Sequence, residues 1–220
     1  MLQFDWSIVA RYGGSFVEGA VTTLAVSVVA TLIGLAVGML TALARLSPWA
    51  PLRGVARAYV EVVRGTPLLV QLFFLYAALP LYGIRLSAVA SGVVALSLYT
   101  GAFAAEIFRA GITAVHRGHV EAARSLGMSY GQAMRRIVAP LMAVQVLPPL
   151  TNEFTGVIKW SSLLSVVTVP ELTYAAYRAI GETYSAVEPL LVAGLLYWGL
   201  NDLVVAVGRG LERRLTRHLA

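Results

Sequence analysis

The sequence predicts an all-α membrane protein that crosses the bilayer about five times. Hydrophobic residues make up 58% of the 220 residues and charged residues only 13%, whereas a soluble domain carries about 25% charged residues. The charges lie almost entirely between long apolar runs, each near the roughly 20 residues that a membrane-spanning helix needs. The net charge of +6 therefore indicates membrane topology rather than nucleic-acid binding. The whole chain, 1–220, is predicted to form one transmembrane domain.

Apolar runs define the predicted spans in chain order. They cover residues 19–44, 65–84, 86–105, about 137–158 and about 189–208. The first three runs contain no charged side chain, the fourth contains Glu153 and the fifth contains Asp202. An odd number of spans places the two ends of the chain on opposite sides of the membrane.

The distribution of arginine predicts the orientation. Three arginines follow the first span, five lie between the third and fourth spans, and four lie in the C-terminal tail, against three in the opposite loops. The twelve on the first side are Arg45, Arg53, Arg57, Arg109, Arg117, Arg124, Arg135, Arg136, Arg209, Arg213, Arg214 and Arg217. Because cytoplasmic loops are enriched in Lys and Arg, we expect the N-terminus outside and the C-terminus in the cytoplasm.

Two stretches do not fit a simple alternation of spans and loops. Residues 159–170 are apolar but too short to cross the membrane, and Pro170 ends any helix there. They predict a re-entrant or broken segment, which membrane proteins tolerate only where it is buried in protein or lines a cavity. Residues 171–186 predict a polar helical connector on the outside. Pro67, in the motif RGTP, and Pro148-Pro149 predict kinks, either static or acting as gating hinges.

The segment between the third and fourth spans, residues 116–141, predicts two short helices joined by a sharp turn. Glu121 is expected in the first turn of the first helix, where an acid suits the helix dipole. Gly127 suits the residue just beyond the helix end, because a left-handed conformation brings it no Cβ clash. Ser129 with Gln132 three residues later is a capping box that starts the second helix. On this pattern alone, an interfacial helix that merely stabilises the loop is an equally good explanation.

Several residues of this segment match a known loop in their spacing. They are Glu121, Ala122, Ala123, Gly127, Ile137 and Pro140. The pattern resembles the EAA loop of binding-protein-dependent ABC import permeases, in which this loop is a coupling helix that docks into a cleft on the ATPase subunit. The resemblance implies a coupling helix at about 118–127. Its implied ATPase-coupling residues are Gly118, Glu121, Ala122, Ala123 and Gly127.

Three further stretches, 61–76, 95–112 and 147–172, are similar to polar-amino-acid permeases of the histidine, glutamine and arginine type. The resemblance covers about residues 15–214 and implies the type I importer fold in a bacterial cytoplasmic membrane. It implies a pair of permease subunits, either two copies or a copy and a paralogue. Two ATP-binding subunits and an extracytoplasmic amino-acid-binding protein are the other implied partners. The implied substrate is a polar or basic amino acid.

The chain cannot supply its own ATPase. A phosphate-binding P-loop needs Gly-Lys followed by Ser or Thr, and Lys159, which follows Ile158, is the only lysine. The sequence offers no nucleophile–base set and no metal-binding cluster. We therefore expect a transport subunit that is not an enzyme and holds no cofactor, with ATP and Mg²⁺ on the partner ATPase subunits.

Charged residues within the spans are the candidate substrate-binding groups. A central charge costs about 2.5–3.5 kcal/mol on insertion scales, so such residues usually face partners or a wet cavity. Glu153 and Lys159 are six residues apart, about 240° around an ideal helix. They would face the same way only across a break, which Gly156 is expected to provide. Glu61 and Arg64, three residues apart, can pair on one helix face. The pairs Glu106–Arg109 and Asp202–Arg209 are expected to be structural.

The resulting hypothesis places an amino acid near the middle of the membrane. Its carboxylate would lie near Lys159, with Ser161, Ser162 and backbone N–H groups at a half-helix start as donors. Its amino group, or a cationic side chain, would meet Glu153 and Glu61. Two acids against one lysine favour a neutral polar or basic amino acid.

Two points qualify these expectations. Many of the similar permeases have an acidic residue straight after the lysine, where this chain has Trp160, which either stacks on a cation or anchors the segment. The alternative function is an ion-coupled secondary amino-acid carrier that uses Glu61, Glu153 and Asp202 as ion ligands. Five spans without an internal repeat argue against it, since such carriers commonly contain repeats.

Overall fold

The computed structural model describes residues 4–219, without the side chains of Arg117 and residues 216–219. Every regular element in this part of the chain is helical. The α-helices are α1 (Trp6–Arg45), α2 (Ala50–Gly65), α3 (Leu68–Phe73), α4 (Ala88–Ala114), α5 (Arg117–Ser125), α6 (Tyr130–Ala133), α7 (Ala139–Trp160), α8 (Leu172–Thr183) and α9 (Val187–Leu219). Between them lie π-helical turns at Phe74–Ala78 and Met134–Val138, and 3₁₀ helices at Leu79–Tyr82 and Ser161–Val167.

Three helices of the described chain are long and apolar enough to cross a membrane alone. They are α1, α4 and the Val187–Leu215 part of α9. Helix α2 and the helical stretch Leu68–Tyr82 meet the same criterion only as a pair, and a bend of 106° separates them. By length and composition, residues 4–219 therefore contain three helices that could each span a membrane, or four candidate spans if the bent pair is one span. Helix α7 has 22 residues, which makes it about 33 Å long at 1.5 Å per residue.

The predicted second span, residues 65–84, is not one straight helix. Thr66 and Pro67 are both extended, and the helix restarts at Leu68. The cause is Pro67, which lacks an N–H group and excludes the α conformation from the residue before it. The prediction of a kink at this proline is confirmed. The prediction that the span begins at residue 65 is wrong, because the proline shifts the helix start to Leu68.

Helices α1 and α4 approach each other closely through small residues. Ala30, Gly34, Gly38 and Ala42 recur at every fourth position of α1, and all four are buried. A Cβ atom on Gly38 would lie 2.7 Å from the Cβ atom of Ala104. Such small-residue stripes let membrane helices approach until their backbones touch, which is where van der Waals packing between them is strongest.

The core forms three clusters along the α1 axis. The central cluster joins α1 and α4 to Leu72, Val157 and Leu164. A second cluster packs Phe16 of α1 against α8 and α9, with Leu172 at its centre. A third joins the C-terminal half of α1 to α4 and α7. The central cluster thus fixes the bent second span and the Ser161–Val167 segment against the α1–α4 pair.

The segment that was expected to be broken, 159–170, begins as the end of α7 and continues as the 3₁₀ helix. Thr168 then adopts a left-handed conformation with φ 63°. Helix α8 starts after Glu171, whose carboxylate accepts hydrogen bonds from the N–H groups of Thr173 and Tyr174 at 3.0 and 2.8 Å. This capped helix occupies most of the predicted connector, 171–186.

Candidate functional site

The surface helix α5 is closed at both ends by local hydrogen bonds. At its start, the N–H group of Gly118 donates to Nδ1 of His116 at 3.1 Å. At its end, Gly127 has φ 82°, and the N–H groups of Gly127 and Met128 donate to the carbonyls of Arg124 and Ala123. This pattern is the Schellman motif. Its left-handed position suits glycine, because the backbone of any other residue there would be strained.

The start of α5 lies one residue before the expected position of about 118. Because His116 caps the helix, α5 begins at Arg117. The expected position of Glu121 in the first turn is therefore wrong, and this residue lies in the second turn. The predicted capping box of Ser129 and Gln132 is confirmed, with both reciprocal hydrogen bonds present.

The α5 helix presents its polar side and an apolar tip outward. Glu121 and Ala122 are exposed, and Ala123 is buried against the rest of the protein. Leu126, just before the glycine turn, is 82% exposed, and Tyr130 is 62% exposed. A groove of about 400 Å³ lies beside the helix. It is lined by Ile112, Thr113, Val115, Val120, Glu121, Tyr130, Met134 and Val138. Exposed apolar groups beside charged ones mark a protein-interaction surface.

The two charged residues of the predicted substrate site lie on different faces of α7. The helix runs through Gly156 without a break, so Glu153 and Lys159 remain about 240° apart. The expectation of a break at Gly156 is wrong, and the change in backbone occurs after Trp160. Lys159 is exposed, whereas Oε1 of Glu153 is buried and has no hydrogen-bond partner among the described residues.

The two predicted serines point back to α7. The hydroxyl of Ser161 donates to the carbonyl of Ile158 at 2.8 Å, and that of Ser162 donates to the carbonyl of Lys159 at 2.7 Å. The N–H group of Ser161 also donates within the helix. The expected half-helix start with free N–H donors is therefore absent at this point of the described chain, because the 3₁₀ helix continues directly from α7.

A cluster of four charged residues joins three helices. Glu106 of α4 accepts hydrogen bonds from Nε and Nη2 of Arg109 at 3.0 and 2.9 Å, as predicted for this pair. It also pairs with Arg45 of α1, and its Oε1 lies 3.7 Å from Nη1 of Arg64 of α2. The expected Glu61–Arg64 pair is wrong, because Arg64 turns to Glu106. Sequence spacing missed this cluster, since its members come from three separate helices.

The remaining predicted pair is also not formed. Asp202 is exposed on α9, and none of the ion pairs found within residues 4–219 joins it to Arg209. Glu61 is likewise exposed, on α2. Both acids therefore face outward from the single subunit.

An aromatic cluster of Tyr99, Phe103 and Trp160 lies between α4 and the end of α7. The Trp160 ring centroid is 4.9 Å from that of Tyr99, in an edge-on contact, and 6.1 Å from that of Phe103. Gly156 makes room for the indole, because a Cβ atom there would lie 3.1 Å from the ring. Of the two roles considered for Trp160, this packing supports anchoring of the segment.

The cluster also carries opposite charges. The guanidinium of Arg64 lies 4.9 Å from the centre of the Phe103 ring, within the range of a cation–π contact. Glu153 is close enough to Arg64 and to Tyr99 for coulombic interaction. A carboxylate, a guanidinium and an aromatic wall in one place can bind both charged groups of an amino acid. The sequence singled out Glu153 and Trp160 but gave Arg64 only a structural role.

Two hydrogen-bonded carboxylates fasten α8 to its neighbours. Glu171 is fully buried, and its Oε2 accepts hydrogen bonds from Tyr197 of α9 at 2.6 Å and from Thr23 of α1 at 3.5 Å. Glu182 accepts from the hydroxyl of Tyr12 at 2.6 Å and from Arg178 at 3.3 Å. These two hydrogen bonds, with that of Tyr12 the stronger, hold the pKa of Glu182 below its usual range.

Comparison with known proteins places this geometry in context. Residues 30–217 match the family described as the binding-protein-dependent transport system inner membrane component. The chain is 38% identical to the arginine transport system permease protein ArtQ of Bacillus subtilis (strain 168), over 97% of this chain and 98% of that protein. It is 35% identical to the glutamine transport system permease protein GlnP of Escherichia coli (strain K12), over 97% and 99% of the two chains.

Solved structures show the same likeness. A chain from a crystal structure of an amino acid ABC transporter with histidines superposes with a TM-score of 0.90 at 38% identity, covering 97% of this chain and all of that one. A chain of the inward-facing MetNI methionine ABC transporter superposes with a TM-score of 0.76 at 21% identity, over 91% and 95% of the chains. The second likeness concerns the fold alone.

Proposed function

Because the chain belongs to the family of binding-protein-dependent transport system inner membrane components and is the permease subunit of an ABC transporter, we propose that it imports a polar or basic amino acid. ATP hydrolysis takes place on two partner subunits, and an extracytoplasmic binding protein delivers the substrate. A second permease subunit, either a copy or a paralogue, completes the pathway. The names of the similar transporters for arginine, glutamine and histidine support this substrate class.

The observation that carries the proposal is the geometry of α5. Its exposed Glu121 and Ala122, the projecting Leu126 and the rigid turn at Gly127 form a helix end that a cleft on another protein can grip. Gly118 lies at the capped start of the same helix, and Ala123 holds it to the membrane domain. Movement of a docked ATPase subunit is transmitted through α5 and the following helix to α7.

The proposed topology has five spans. They are α1, the bent pair α2 with Leu68–Tyr82, α4, α7 and α9, with the N-terminus outside and the C-terminus in the cytoplasm. The arginine distribution supports this orientation, and the length of α7 supports its crossing. The protein would then be a multi-pass component of a bacterial cytoplasmic membrane.

The proposed substrate contacts centre on Glu153. Its unpaired Oε1 receives the amino group or a cationic side chain, and the guanidinium of Arg64, which interacts electrostatically with Glu153, receives the carboxylate. The hydroxyl of Ser162 already donates to α7, so it retains only acceptor capacity and suits an ammonium group, whereas Ser161 is fully buried and supports the segment from within. Glu61 and Lys159 are exposed, and they meet the same ligand only if it lies in a cavity that two subunits share.

The proposed function is tested by reconstitution. We expect purified complexes to take up arginine, histidine or glutamine into vesicles only with ATP and the partner ATPase subunits present. The control is the permease chain alone under an imposed proton or sodium gradient. Uptake driven by that gradient, without ATPase subunits, would establish the secondary-carrier alternative and contradict the proposal.

Coupling through α5 is tested at Gly127. In Gly127→Ala the added Cβ opposes the left-handed conformation by about 1–2 kcal/mol, so we expect weaker ATPase binding and lower ATP-driven uptake. The matched control is Gly131→Ala, whose Cβ meets nothing within 4 Å and should leave uptake unchanged. Equal uptake by both variants, measured at equal subunit levels, would exclude this role for the turn.

The substrate site is tested with Glu153→Gln. Hydrogen bonds to charged groups contribute about 1.5–3 kcal/mol, so we expect the apparent KM for a basic amino acid to rise by about 10- to 100-fold. Asp202→Asn, which removes an exposed acid of α9, should leave KM unchanged. If the two variants behave alike, Glu153 has no special part in recognition, and a matching loss of ion-driven transport in both would favour the carrier alternative.

A further inference from the structure

An apolar groove of about 340 Å³ runs between α1, α7 and α9. Its walls are Leu24, Val28, Thr31, Leu35, Leu147, Leu150, Thr151, Phe154, Leu203, Val204, Val207, Gly208 and Leu211. Thr31 and Thr151 are the only polar side chains in this lining. Several of the wall residues are open to the surroundings, with Leu203 53%, Val207 56% and Leu211 48% exposed. Because α1 and α9 are membrane-spanning helices, the groove opens onto hydrocarbon.

A second cavity, which is polar, lies on the other side of the α7–α9 contact. It separates this groove from the helix faces that suit protein partners. The two cavities share Thr151 and Gly208, and the second is lined by polar residues such as Asn152, Arg209 and Glu212. Asn152 and Thr155 of this lining lie within α7, and polar groups at membrane depth face protein or a wet cavity. The polar side is therefore the side for a second permease subunit, and the apolar groove is left to face lipid.

The shape of the groove agrees with this division. A whole membrane helix, about 10–12 Å across with its side chains, occupies several thousand Å³, far more than the roughly 340 Å³ of this open groove between three helices. An acyl chain is narrow enough to lie along it. An acyl chain is surrounded by apolar groups both in the free bilayer and in the groove, so the hydrophobic effect does not favour its binding. The binding energy comes from van der Waals packing in the groove and from the groups that hold the headgroup.

Positive charge continues the groove at the C-terminal end of α9. The groove-facing residues of α9 end at Leu211, and the same helical face continues three residues later at Arg214. Arg209 lines the polar cavity, Arg213 follows four residues later on the same face of α9, and Glu212 is the one acid among these residues. The surplus of arginine favours an anionic headgroup over a zwitterionic one.

The geometry points to a phospholipid site in which an acyl chain occupies the groove and Arg214 binds the phosphate of an anionic glycerophospholipid such as phosphatidylglycerol. The site is separate from the substrate contacts at Glu153 and from α5. An occupied groove fills the space between α1, α7 and α9 and so holds these three helices at a fixed separation.

The test is photolabelling of the assembled transporter in phosphatidylcholine vesicles that contain a photoactivatable phosphatidylglycerol. We expect labelled peptides from the groove walls of α1, α7 and α9. Val207→Trp fills the groove and should lower this labelling severalfold. The matched control, Leu195→Trp, changes a residue of α9 that is also 56% exposed but lies outside the groove, and should have no effect.

The headgroup is tested separately. Arg214→Gln should lower labelling by phosphatidylglycerol about fivefold, the usual effect of one arginine near an anionic headgroup, while Arg213→Gln should change it little. A photoactivatable phosphatidylcholine should label less and ignore Arg214. Equal labelling around Leu195 and Val207, or cross-linking of the groove to a second permease subunit in place of lipid, would overturn the inference. Equal labelling by both lipids would overturn the role of Arg214.

Discussion

The carboxylates of Glu106 and Glu153 differ in whether their surroundings satisfy them. Glu106 is surrounded by Arg45, Arg64 and Arg109, so its charge is neutralised and it ties three helices together. Glu153 keeps a buried oxygen without a partner, although buried polar atoms are nearly always hydrogen-bonded. The satisfied acid is structural, and the unsatisfied acid is the one suited to a ligand.

A third acid, Glu182, makes the end of the bundle that contains α8 sensitive to pH. Because the pKa of Glu182 is held below its usual range, its ionised form stabilises the folded state at pH values above the ordinary carboxyl pKa. This contribution is lost as the pH falls through the folded-state pKa. Tyr12→Phe removes the main hydrogen bond, so we expect a lower melting temperature near neutral pH and a difference that shrinks as the pH falls below roughly 4.

The control for this prediction is Tyr59→Phe. The hydroxyl of Tyr59 donates to the carbonyl of Leu98 at 2.6 Å, an acceptor that does not titrate. Its loss should lower the melting temperature by the same amount across this pH range. A Tyr12→Phe deficit that is equally independent of pH would show that Glu182 does not contribute through its charge.

At the scale of elements, the fold depends on the contact between α1 and α4. A stripe of small residues brings the two helices together, and Thr100 and Ala104 of α4 fill the spaces above Gly34 and Gly38. Helices in lipid gain no hydrophobic energy from meeting each other, so close packing of this kind supplies the attraction. The other spans pack around this pair.

Gly38→Leu should therefore disrupt the bundle. The new side chain would meet Ala104 and the carbonyl oxygen of Gly101, which lies 2.9 Å from the Cβ position. Overpacking of this kind typically costs about 1–3 kcal/mol, and we expect a lower melting temperature and less folded protein in detergent. Gly14→Leu on the same helix meets nothing within 4 Å and should be tolerated. Similar melting temperatures for the two variants would contradict the close-packing account.

The sequence predicted local features better than contacts between helices. The turn at Gly127 and the capping box at Ser129 follow from backbone rules that act within a few residues, and both are present. The composition of residues 65–84 could not show where the helix starts, although Pro67 signalled the bend. The partners of Arg64 could not be predicted, because they depend on how α2 lies against α4.

The same limit applies to the substrate site. The charge of Glu153 within a predicted span was enough to single it out, since charged residues in membrane spans are rare and usually functional. The expected convergence of Lys159 and Ser161 on the same ligand required a break at Gly156. That glycine instead makes room for the Trp160 ring, a packing role that sequence alone does not distinguish from a break.

At the scale of the whole molecule, the outline of the fold is shared with ABC transporter permeases, while the number of crossings depends on the bent pair and α7. Both contain prolines or charges that lower their apolar character. The arrangement of the chain relative to the membrane can be measured directly.

The absence of cysteine from the sequence makes that measurement simple. We expect a membrane-impermeant thiol reagent to label Ile84→Cys and Tyr184→Cys in intact cells. It should label Trp49→Cys and Ser129→Cys only after the membrane is opened. Labelling of Trp49→Cys and Ile84→Cys from the same side would show that the bent pair does not cross, and labelling of Ser129→Cys from outside would reverse the orientation.

The hydrogen bonds of Glu171 restrict how the pathway can open. One buried carboxylate joins α8 to Thr23 of α1 and to Tyr197 of α9, directly after the 3₁₀ helix that follows α7. Moving α8 alone would leave that carboxylate without these partners in an apolar interior, so we expect the joined parts of α1, α8 and α9 to move as a unit. Of the two roles considered for the kink at Pro67, static or hinged, a hinge in the extended backbone at Thr66 and Pro67 is the one that would let such a unit move relative to α2.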